Sequence, residues 1–256
     1  MPRLGRVVAV TRTTSSGLTR SLVETLGGRF SSEMGIDVDR GPREVERWFL
    51  AATLFGTRIS WRIVERTYAV FDANGVRTIT DAGARTWDEL VALLDEGGYA
   101  RYDFRTATRL LELSAVVGER YGGRISRLAR EEDFPALEAD LEALPGWGPV
   151  TVRLFLRELR GVWPGARPPL DERVLLSARH LRLPPGRGDP GLGLAELARH
   201  ASVDARDLEG ALVRLGLGHA FAGCPGGTSC RALTARVPSS PAPRPPASRS
   251  PSSRAR

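Results

Sequence analysis

The chain has 256 residues and a formal net charge of +7, and all 37 of its Lys and Arg residues are arginine. No apolar run approaches the roughly 18 residues that span a bilayer, and the apolar stretch 7–10 is too short for a signal peptide. Two cysteines argue against a disulfide framework. We therefore expect a cytoplasmic protein whose basic balance favours a polyanionic partner.

Apolar residues recur at helical spacing along most of the chain, and the pattern predicts an all-α protein. The first predicted helix is capped by Ser16 and ends at Gly27 and Gly28. The stretch 7–10 is the one candidate strand. Further predicted helices cover residues 42–56, 59–71, 87–94, 104–121, 134–144, 149–159, 172–181, 194–201 and 205–215.

Residues 144–152, Leu-Pro-Gly-Trp-Gly-Pro-Val-Thr-Val, are typical of a glycine hairpin between two helices. Gly146 and Gly148 can adopt φ > 0 in a sharp turn, and Pro149 suits the first turn of the next helix. The amides of that turn lie at the positive end of the helix dipole, where anions bind. The pattern favours a grip on DNA phosphates, with a simple tight turn as the alternative.

Three arginines, Arg153, Arg157 and Arg160, follow the hairpin at i, i+4 and i+7. This spacing predicts one stripe of guanidinium groups on the second hairpin helix. Such groups position DNA by its phosphates without reading its sequence. Stripes of this kind are also common on solvated helix faces.

Asp171 lies about twenty residues after the hairpin and directly before a helix-forming run. On its own it is interpreted as an N-cap or first-turn acid, which contributes about 1 kcal/mol. Together, the hairpin and the Asp-x-Arg-Val helix start at this distance resemble the helix-hairpin-helix DNA glycosylase superfamily. Members of that family cut damaged or mispaired bases from their sugars. The resemblance covers roughly residues 44–230.

The resemblance implies two helical domains with a DNA-binding cleft between them. Residues 47–165 would form a six-helix domain that carries the helix-hairpin-helix motif at about 134–160. Residues 1–46 would join residues 166–235 in the second domain. Residues 236–256 are mainly Pro, Ser, Ala and Arg, so we expect a disordered basic tail.

The resemblance also implies how the reaction proceeds. The family's aspartate, here Asp171, lies near the sugar of a flipped nucleotide, where a carboxylate stabilises oxocarbenium-like charge and orients or deprotonates water. Val150 stands where bifunctional members carry a catalytic lysine, so we predict a monofunctional enzyme that leaves an intact abasic site. An abasic-site lyase stays open only through the secondary amine of Pro2, after removal of Met1.

Contacts to DNA and to the base follow from the same resemblance. The adenine-specific branch has a glutamate where this chain has Ala51, so adenine excision is not expected. Alkylated purines are favoured, because positively charged bases leave with less acid assistance, while deaminated or oxidised pyrimidines stay open. The predicted DNA contacts are Gly146, Trp147, Gly148, Val150, Thr151, Arg153, Arg157, Thr57 and Arg58. The predicted base pocket is Phe55, Trp61, Tyr99 and Tyr102.

Cys224 and Cys230 fit the last C-x5-C of the four-cysteine [4Fe–4S] loop that many relatives carry. Arg214 and Phe221 stand at the other two cysteine positions. Two thiolates cannot supply four ligands. The resemblance therefore predicts that the iron–sulfur cluster has been lost.

A zinc site that combines His219 with the two cysteines is conceivable, but it lacks a fourth ligand and the usual C-x2-C spacing. His180 and His200 are interpreted as scattered surface residues on helices. We therefore expect no cofactor and no metal, apart from a weakly held monovalent cation at the hairpin carbonyls, as the family implies.

The leading hypothesis is a monofunctional DNA glycosylase of base excision repair, associated with the nucleoid. It would act as a monomer on double-stranded DNA that contains a lesion or mismatch, without a membrane partner. The alternative is a non-catalytic helix-hairpin-helix protein that recognises abasic or distorted DNA. Departures from the family at Ala51, Phe55, Gly56 and Val150 keep that alternative open, with Asp171 retained as a helix cap.

Overall fold

The computed structural model describes residues 4–56, 59–99, 102–184 and 188–234, with the backbone alone for residues 4–14. Within these ranges the chain forms helices and no β-strand, so the all-α prediction is confirmed. None of the described helices is long and apolar enough to cross a membrane. The α-helices are α1 (Leu4–Leu26), α2 (Phe30–Glu33), α3 (Pro42–Leu54), α4 (Trp61–Ala73), α5 (Ile79–Gly83), α6 (Trp87–Gly97), α7 (Asp103–Tyr121), α8 (Phe134–Glu142), α9 (Pro149–Glu158), α10 (Glu172–His180), α11 (Pro190–Ala201), α12 (Ala205–Gly218) and α13 (Arg231–Thr234).

The long helices match the predicted periodicity, with boundaries that differ by a few residues. Two expectations for the N-terminal segment are wrong. Helix α1 already begins at Leu4, so Ser16 lies inside it, and the stretch 7–10 is helical. A four-residue apolar run fits both periods, so its flanks decide its structure. The short helices α2, α5 and α13 escape prediction because they are too short to show a period.

Two sets of helices pack around one continuous apolar core. In the first set, α3 packs against α4, α5 and α9, α7 packs against α5 and α6, and α8 packs against α9. In the second set, α1 packs against α11 and α12, and α12 packs against α10. The N-terminal helix therefore lies with helices from the C-terminal third of the chain.

A row of buried aromatic side chains fixes the α8–α9 turn to α3. The Trp147 ring stacks on Phe49 with centroids 4.5 Å apart, and its indole N–H donates to Thr53 Oγ1 at 3.2 Å. Phe155 of α9 meets both rings edge-on, and its carbonyl accepts from the indole N–H of Trp48 at 3.2 Å. Because large aromatic rings dominate core energetics, this row holds the turn in one place.

The end of α9 is joined to the start of α2 by a buried carboxylate. Glu158 accepts hydrogen bonds from the backbone N–H of Phe30 at 2.8 Å and of Ser31 at 2.9 Å. These amides belong to the first turn of α2, where no helical carbonyl is available to them. The two bonds therefore hold the Phe30 ring beside α9.

Candidate nucleic-acid cleft

A cleft of about 400 Å³ opens where α9 begins, where α10 begins and where the α3–α4 connection passes. Its volume lies within the range of pockets that enclose small ligands. The predicted catalytic residue, several predicted DNA contacts and two predicted base-pocket residues line it together. The lining residues are Phe30, Phe55, Ile59, Ser60, Trp61, Pro149, Val150, Thr151, Arg153, Leu154, Arg157, Pro169, Asp171, Arg173, Glu209, Val213 and Leu217.

Gly146 and Gly148 have different roles in the α8–α9 turn. Gly146 has φ +77°, in the left-handed region, and a Cβ there would lie 2.1 Å from Arg109 Cδ. Gly148 has φ −118° and ψ 178°, so the expectation of φ > 0 at Gly148 is wrong. A Cβ at Gly148 would meet open space. The Arg109 side chain, on α7, thus packs against the turn, a contact that no local motif predicts.

The first turn of α9 lies at the cleft, with Pro149, Val150 and Thr151 among the lining residues. Pro149 is the first helical residue, as predicted, and Gly148 has no side chain to cap the helix. The first hydrogen bond of the turn runs from Val152 N to Gly148 O at 3.0 Å, so the N–H groups of Val150 and Thr151 precede the helical ladder. Val150 is 80% exposed. The positive end of the α9 dipole is therefore accessible to an anion.

Arg157 is a buried cation of the cleft. Its guanidinium carbon lies 4.9 Å from the centroid of the Phe30 ring, and its side chain is 11% exposed. Among the described residues, its Nε and Nη2 atoms have no hydrogen-bond partner. Glu158 Oε1 lies 3.9 Å from Nη2, which is too far for a hydrogen bond. Arg157 therefore brings a positive charge to the lining of the cleft, where its guanidinium faces the Phe30 ring.

The other two arginines of the predicted stripe are engaged elsewhere. Arg153 is exposed and forms an ion pair with Glu138 at 3.4 Å. Arg160 lies beyond the end of α9, and its guanidinium forms an ion pair with the buried carboxylate of Glu209 at 3.0 Å. The expectation that Arg160 continues the stripe is wrong, because the helix ends before it and a buried acid holds its charge.

Aromatic rings form one wall of the cleft. The Phe30 ring meets Phe55 and Trp61 edge-on, with centroids 5.6 Å and 6.2 Å apart. The Arg214 guanidinium lies 3.8 Å from the Phe30 centroid and pairs with Glu33 at 2.7 Å, and burial lowers its pKa. Phe55 and Trp61 line the cleft, and their role in a base pocket stays a prediction. Phe30 and Arg214 were not predicted here, because no local motif marks them.

Some predicted contacts lie away from the cleft. Tyr99 is fully buried and its hydroxyl donates to a backbone carbonyl at the end of α3. Neither Tyr99 nor the half-buried Tyr102 is among the described residues that line the cleft, so the base-pocket prediction is wrong for both. Trp147 is 4% exposed, so its ring belongs to the core and only its backbone can reach DNA. Thr57 and Arg58 lie outside the described residues.

Asp171 stands at the edge of the cleft as the N-cap of α10. Its side chain accepts a hydrogen bond from the backbone N–H of Arg173 at 2.7 Å, which confirms the capping interpretation. An ionised carboxylate has about four acceptor sites, so one capping bond leaves capacity for water or a sugar. The side chain is exposed to the cleft. Capping and contact with a ligand are therefore compatible.

A second cluster of functional side chains lies at the opposite end of α10. His180, His219, Cys224 and Cys230 place their ligand atoms within 4.8 Å of one another. The interpretation of His180 as a scattered surface residue is therefore wrong. Desolvation acts to raise the pKa of both thiols and prevails at Cys230. At Cys224, hydrogen bonds from the backbone N–H groups of Arg231 and Gly226 and from His219 outweigh it and lower the pKa to about 6.

The four-cysteine iron–sulfur loop does not fit this cluster. Arg214, at the first cysteine position, stacks on the aromatic wall of the cleft. Phe221, at the second position, stacks on the His180 ring with centroids 4.6 Å apart. Two thiolates cannot replace the four that such a cluster needs. The monovalent cation at the hairpin carbonyls stays a prediction.

No protein-family model matches this chain, and no curated protein matches it closely enough to be a relative. These comparisons therefore neither support nor exclude a function.

Proposed function

We propose that the chain is a monofunctional DNA glycosylase of base excision repair, with a helix-hairpin-helix motif and two helical domains. It hydrolyses the N-glycosidic bond of a damaged or mispaired base and leaves an abasic site. The observation that carries the proposal is one cleft in which Asp171, the first turn of α9 and the rings of Phe55 and Trp61 meet. Each of these groups supplies a different part of the reaction.

The start of α9 supplies the grip on the DNA backbone. The N–H groups of Val150 and Thr151 lie at the positive end of the helix dipole, which favours a phosphate. The positive charges of Arg157 and of the exposed Arg153, which both line the cleft, add attraction to a phosphate. The formal net charge of +7 adds a sequence-independent attraction to DNA.

The aromatic wall supplies stacking for an extruded base. A glycosylase must take its target out of the duplex, and aromatic faces hold the flipped base. Phe55 and Trp61 are partly exposed at the cleft and are supported from behind by the buried Phe30. The aromatic wall is therefore exposed to solvent where it faces the cleft and packed against the core on its other side.

Asp171 supplies the charge at the sugar. A water oxygen forms a bond to C1′ while the C1′–N bond breaks. The electron pair of the C1′–N bond leaves with the base. The carboxylate stabilises positive charge on the sugar and accepts the proton that the water loses. Because the chain has no lysine, no primary-amine side chain is available to form a Schiff base and nick the strand.

The acids of the cleft favour an alkylated purine as the leaving base. Asp171 and Glu209 are the carboxylates among the described lining residues, and Glu209 is held by Arg160. No other acid of the described lining is placed to protonate a departing base. A positively charged alkylated purine becomes neutral as it leaves, so it needs no such acid.

A panel of duplexes tests the proposal, each with one alkylated, deaminated or oxidised base or one mismatch. We expect strand breaks after alkali treatment for at least one duplex, no breaks without alkali, and no borohydride-trapped protein–DNA adduct. Breaks without alkali together with a trapped adduct would show a lyase and contradict the monofunctional mechanism.

The alternative is a non-catalytic protein that binds abasic or distorted DNA. The capping bond that Asp171 accepts from the Arg173 backbone N–H favours this alternative, because it gives Asp171 a structural role without catalysis. Tight binding across the duplex panel, with no abasic product from any substrate, would establish this alternative and overturn the glycosylase.

A further inference from the structure

Four potential ligands converge at the C-terminal end of α10. His180 is the last residue of α10, and His219 directly follows α12. Cys224 lies in the loop after His219, and Cys230 directly precedes α13. The loop therefore folds back onto α10 and brings together residues that are up to fifty positions apart in the chain (180 to 230).

Two separations between the ligand atoms match those around a tetrahedral ion. Zinc–sulfur bonds of about 2.3 Å and zinc–nitrogen bonds of about 2.0–2.1 Å place sulfur atoms about 3.8 Å apart, and sulfur and nitrogen about 3.6 Å apart, around a tetrahedral centre. The Sγ atoms of Cys224 and Cys230 are 3.9 Å apart, and Cys230 Sγ lies 3.5 Å from His219 Nε2. Both separations agree with a single shared ion.

We propose that His180, His219, Cys224 and Cys230 bind one zinc ion in a closed structural site. Two nitrogen and two thiolate ligands form one of the common four-ligand sets of structural zinc. Four protein ligands leave no open position for substrate, so the ion stabilises the fold and takes no part in base excision. The site stands independently of the proposed glycosylase function.

An unpaired buried atom supports the proposal. His180 Nε2 is buried and has no hydrogen-bond partner among the described residues. Such atoms are uncommon in native folds and indicate a partner that the protein atoms do not supply, such as an ion. The Phe221 ring stacks on the His180 ring and fixes its plane.

The backbone of the loop that carries Cys224 and Cys230 allows it to pack closely on the end of α10. Gly226 has φ +68°, in the left-handed region, and a Cβ there would lie 2.3 Å from the carbonyl oxygen of His180. The Arg182 guanidinium donates to the Pro225 carbonyl at 3.2 Å and holds the same loop. Glycine therefore permits the loop to lie directly on the end of α10, where its cysteines reach the histidines.

Two other uses of the cysteines are less consistent with the distances. A disulfide needs sulfur atoms about 2.05 Å apart, whereas Cys224 and Cys230 are free thiols at 3.9 Å. A two-iron cluster of the Rieske type binds its histidines and cysteines to different irons, which spreads the ligands. Here all four ligand atoms lie within 4.8 Å of one another, which favours one ion.

Metal analysis of the full-length protein, purified without chelator, tests the proposal in the absence of DNA. We expect about one zinc per chain, and we expect cobalt(II) exchanged into the site to show thiolate charge-transfer bands and the strong visible bands of a tetrahedral ion. Because loss of an outer partner already weakens metal sites 10- to 100-fold, His180→Gln should weaken zinc binding at least about 100-fold.

His200→Gln is the matched control, because His200 lies on α11 and contacts Glu196 rather than this cluster. It should retain full zinc binding. The cobalt spectrum of the wild-type chain keeps the test decisive even if His180→Gln fails to fold. Absence of zinc and of thiolate bands, an iron cluster in their place, or a Cys224–Cys230 disulfide would overturn the proposal. These outcomes concern the metal alone and leave the glycosylase proposal intact.

Discussion

The two ends of α10 present opposite environments. At its start, Asp171 is an exposed carboxylate at a cleft that opens to solvent. At its end, His180 points a buried nitrogen into a compact cluster of histidine and cysteine. The helix has nine residues, so the two ends are about 13 Å apart. An exposed site can admit a large ligand, whereas a compact cluster has room only for its own side chains and a single ion.

Removal of the proposed zinc ion should distinguish the two ends of α10 more strongly than any other change. Zinc at about 1,000 times its dissociation constant stabilises a fold by about 4 kcal/mol, which corresponds to roughly 8–16 °C in melting temperature for a chain of this size. We therefore expect a chelator to lower the melting temperature of the wild-type protein by about that amount, measured by calorimetry.

The control for this experiment is Cys230→Ser, which removes one ligand from the buried end of α10. Its melting temperature should already be low and should not change with chelator. An equal response of both proteins to chelator would contradict a metal at this end of the helix.

A substitution of Arg157 tests the cleft at the start of α10. Loss of a hydrogen bond to a charged group costs about 1.5–3 kcal/mol, so Arg157→Gln should weaken binding to duplex DNA about 10- to 100-fold. Arg153→Gln should have a smaller effect, because Arg153 is exposed and already paired with Glu138. Fluorescence anisotropy at fixed salt measures both. Equal, small losses in the two variants would show that Arg157 does not contact the DNA.

The glycines of the α8–α9 turn form a matched pair for stability. Gly146→Ala should destabilise the fold by about 1–2 kcal/mol, because a left-handed φ is costly for alanine and its Cβ meets Arg109. Gly148→Ala should cost less than about 1 kcal/mol, since its backbone is extended and its surroundings are open. Urea unfolding compares the two. Similar losses would contradict the turn geometry.

Acid should have the smallest effect, through an ion-pair network of Arg206 at the start of α12. Hydrogen bonds from Arg206 lower the pKa of Asp39. Burial acts to raise the pKa of Asp204, but hydrogen bonds from Arg206 outweigh it and lower the pKa of Asp204 as well. A lowered pKa stabilises the folded state above the unfolded value of about 3.9, and this stability is lost as the pH falls through the folded value. We expect a melting temperature that falls below about pH 4, with a weaker fall in Asp39→Asn.

Sequence reasoning succeeded where the relevant residues are neighbours in the chain. The periodicity of the long helices, Pro149 as the first residue of α9 and the capping role of Asp171 are local properties, and all three are confirmed. Phe55 and Trp61 also line the cleft, and their role in binding a base stays a prediction.

The wrong predictions concern residues whose partners come from distant parts of the chain. The burial of Tyr99 depends on packing against the end of α3, and the ion pair of Arg160 depends on Glu209 from α12. His180 joins a loop that follows it by about forty residues, so no spacing rule connects them. Such partners become visible only when the helices are placed in space.

The reaction rate of Asp171→Asn shows whether the Asp171 carboxylate carries out base excision. Asparagine caps helices as well as aspartate does, so this change removes the charge and should leave the melting temperature nearly unchanged. On a substrate duplex from the lesion panel, single-turnover formation of abasic sites should fall about 100- to 1,000-fold, as when one electrostatic contact to a transition state is lost. Glu172→Gln, at the neighbouring exposed acid, should keep the wild-type rate. An Asp171→Asn protein that excises bases at the wild-type rate would contradict the account.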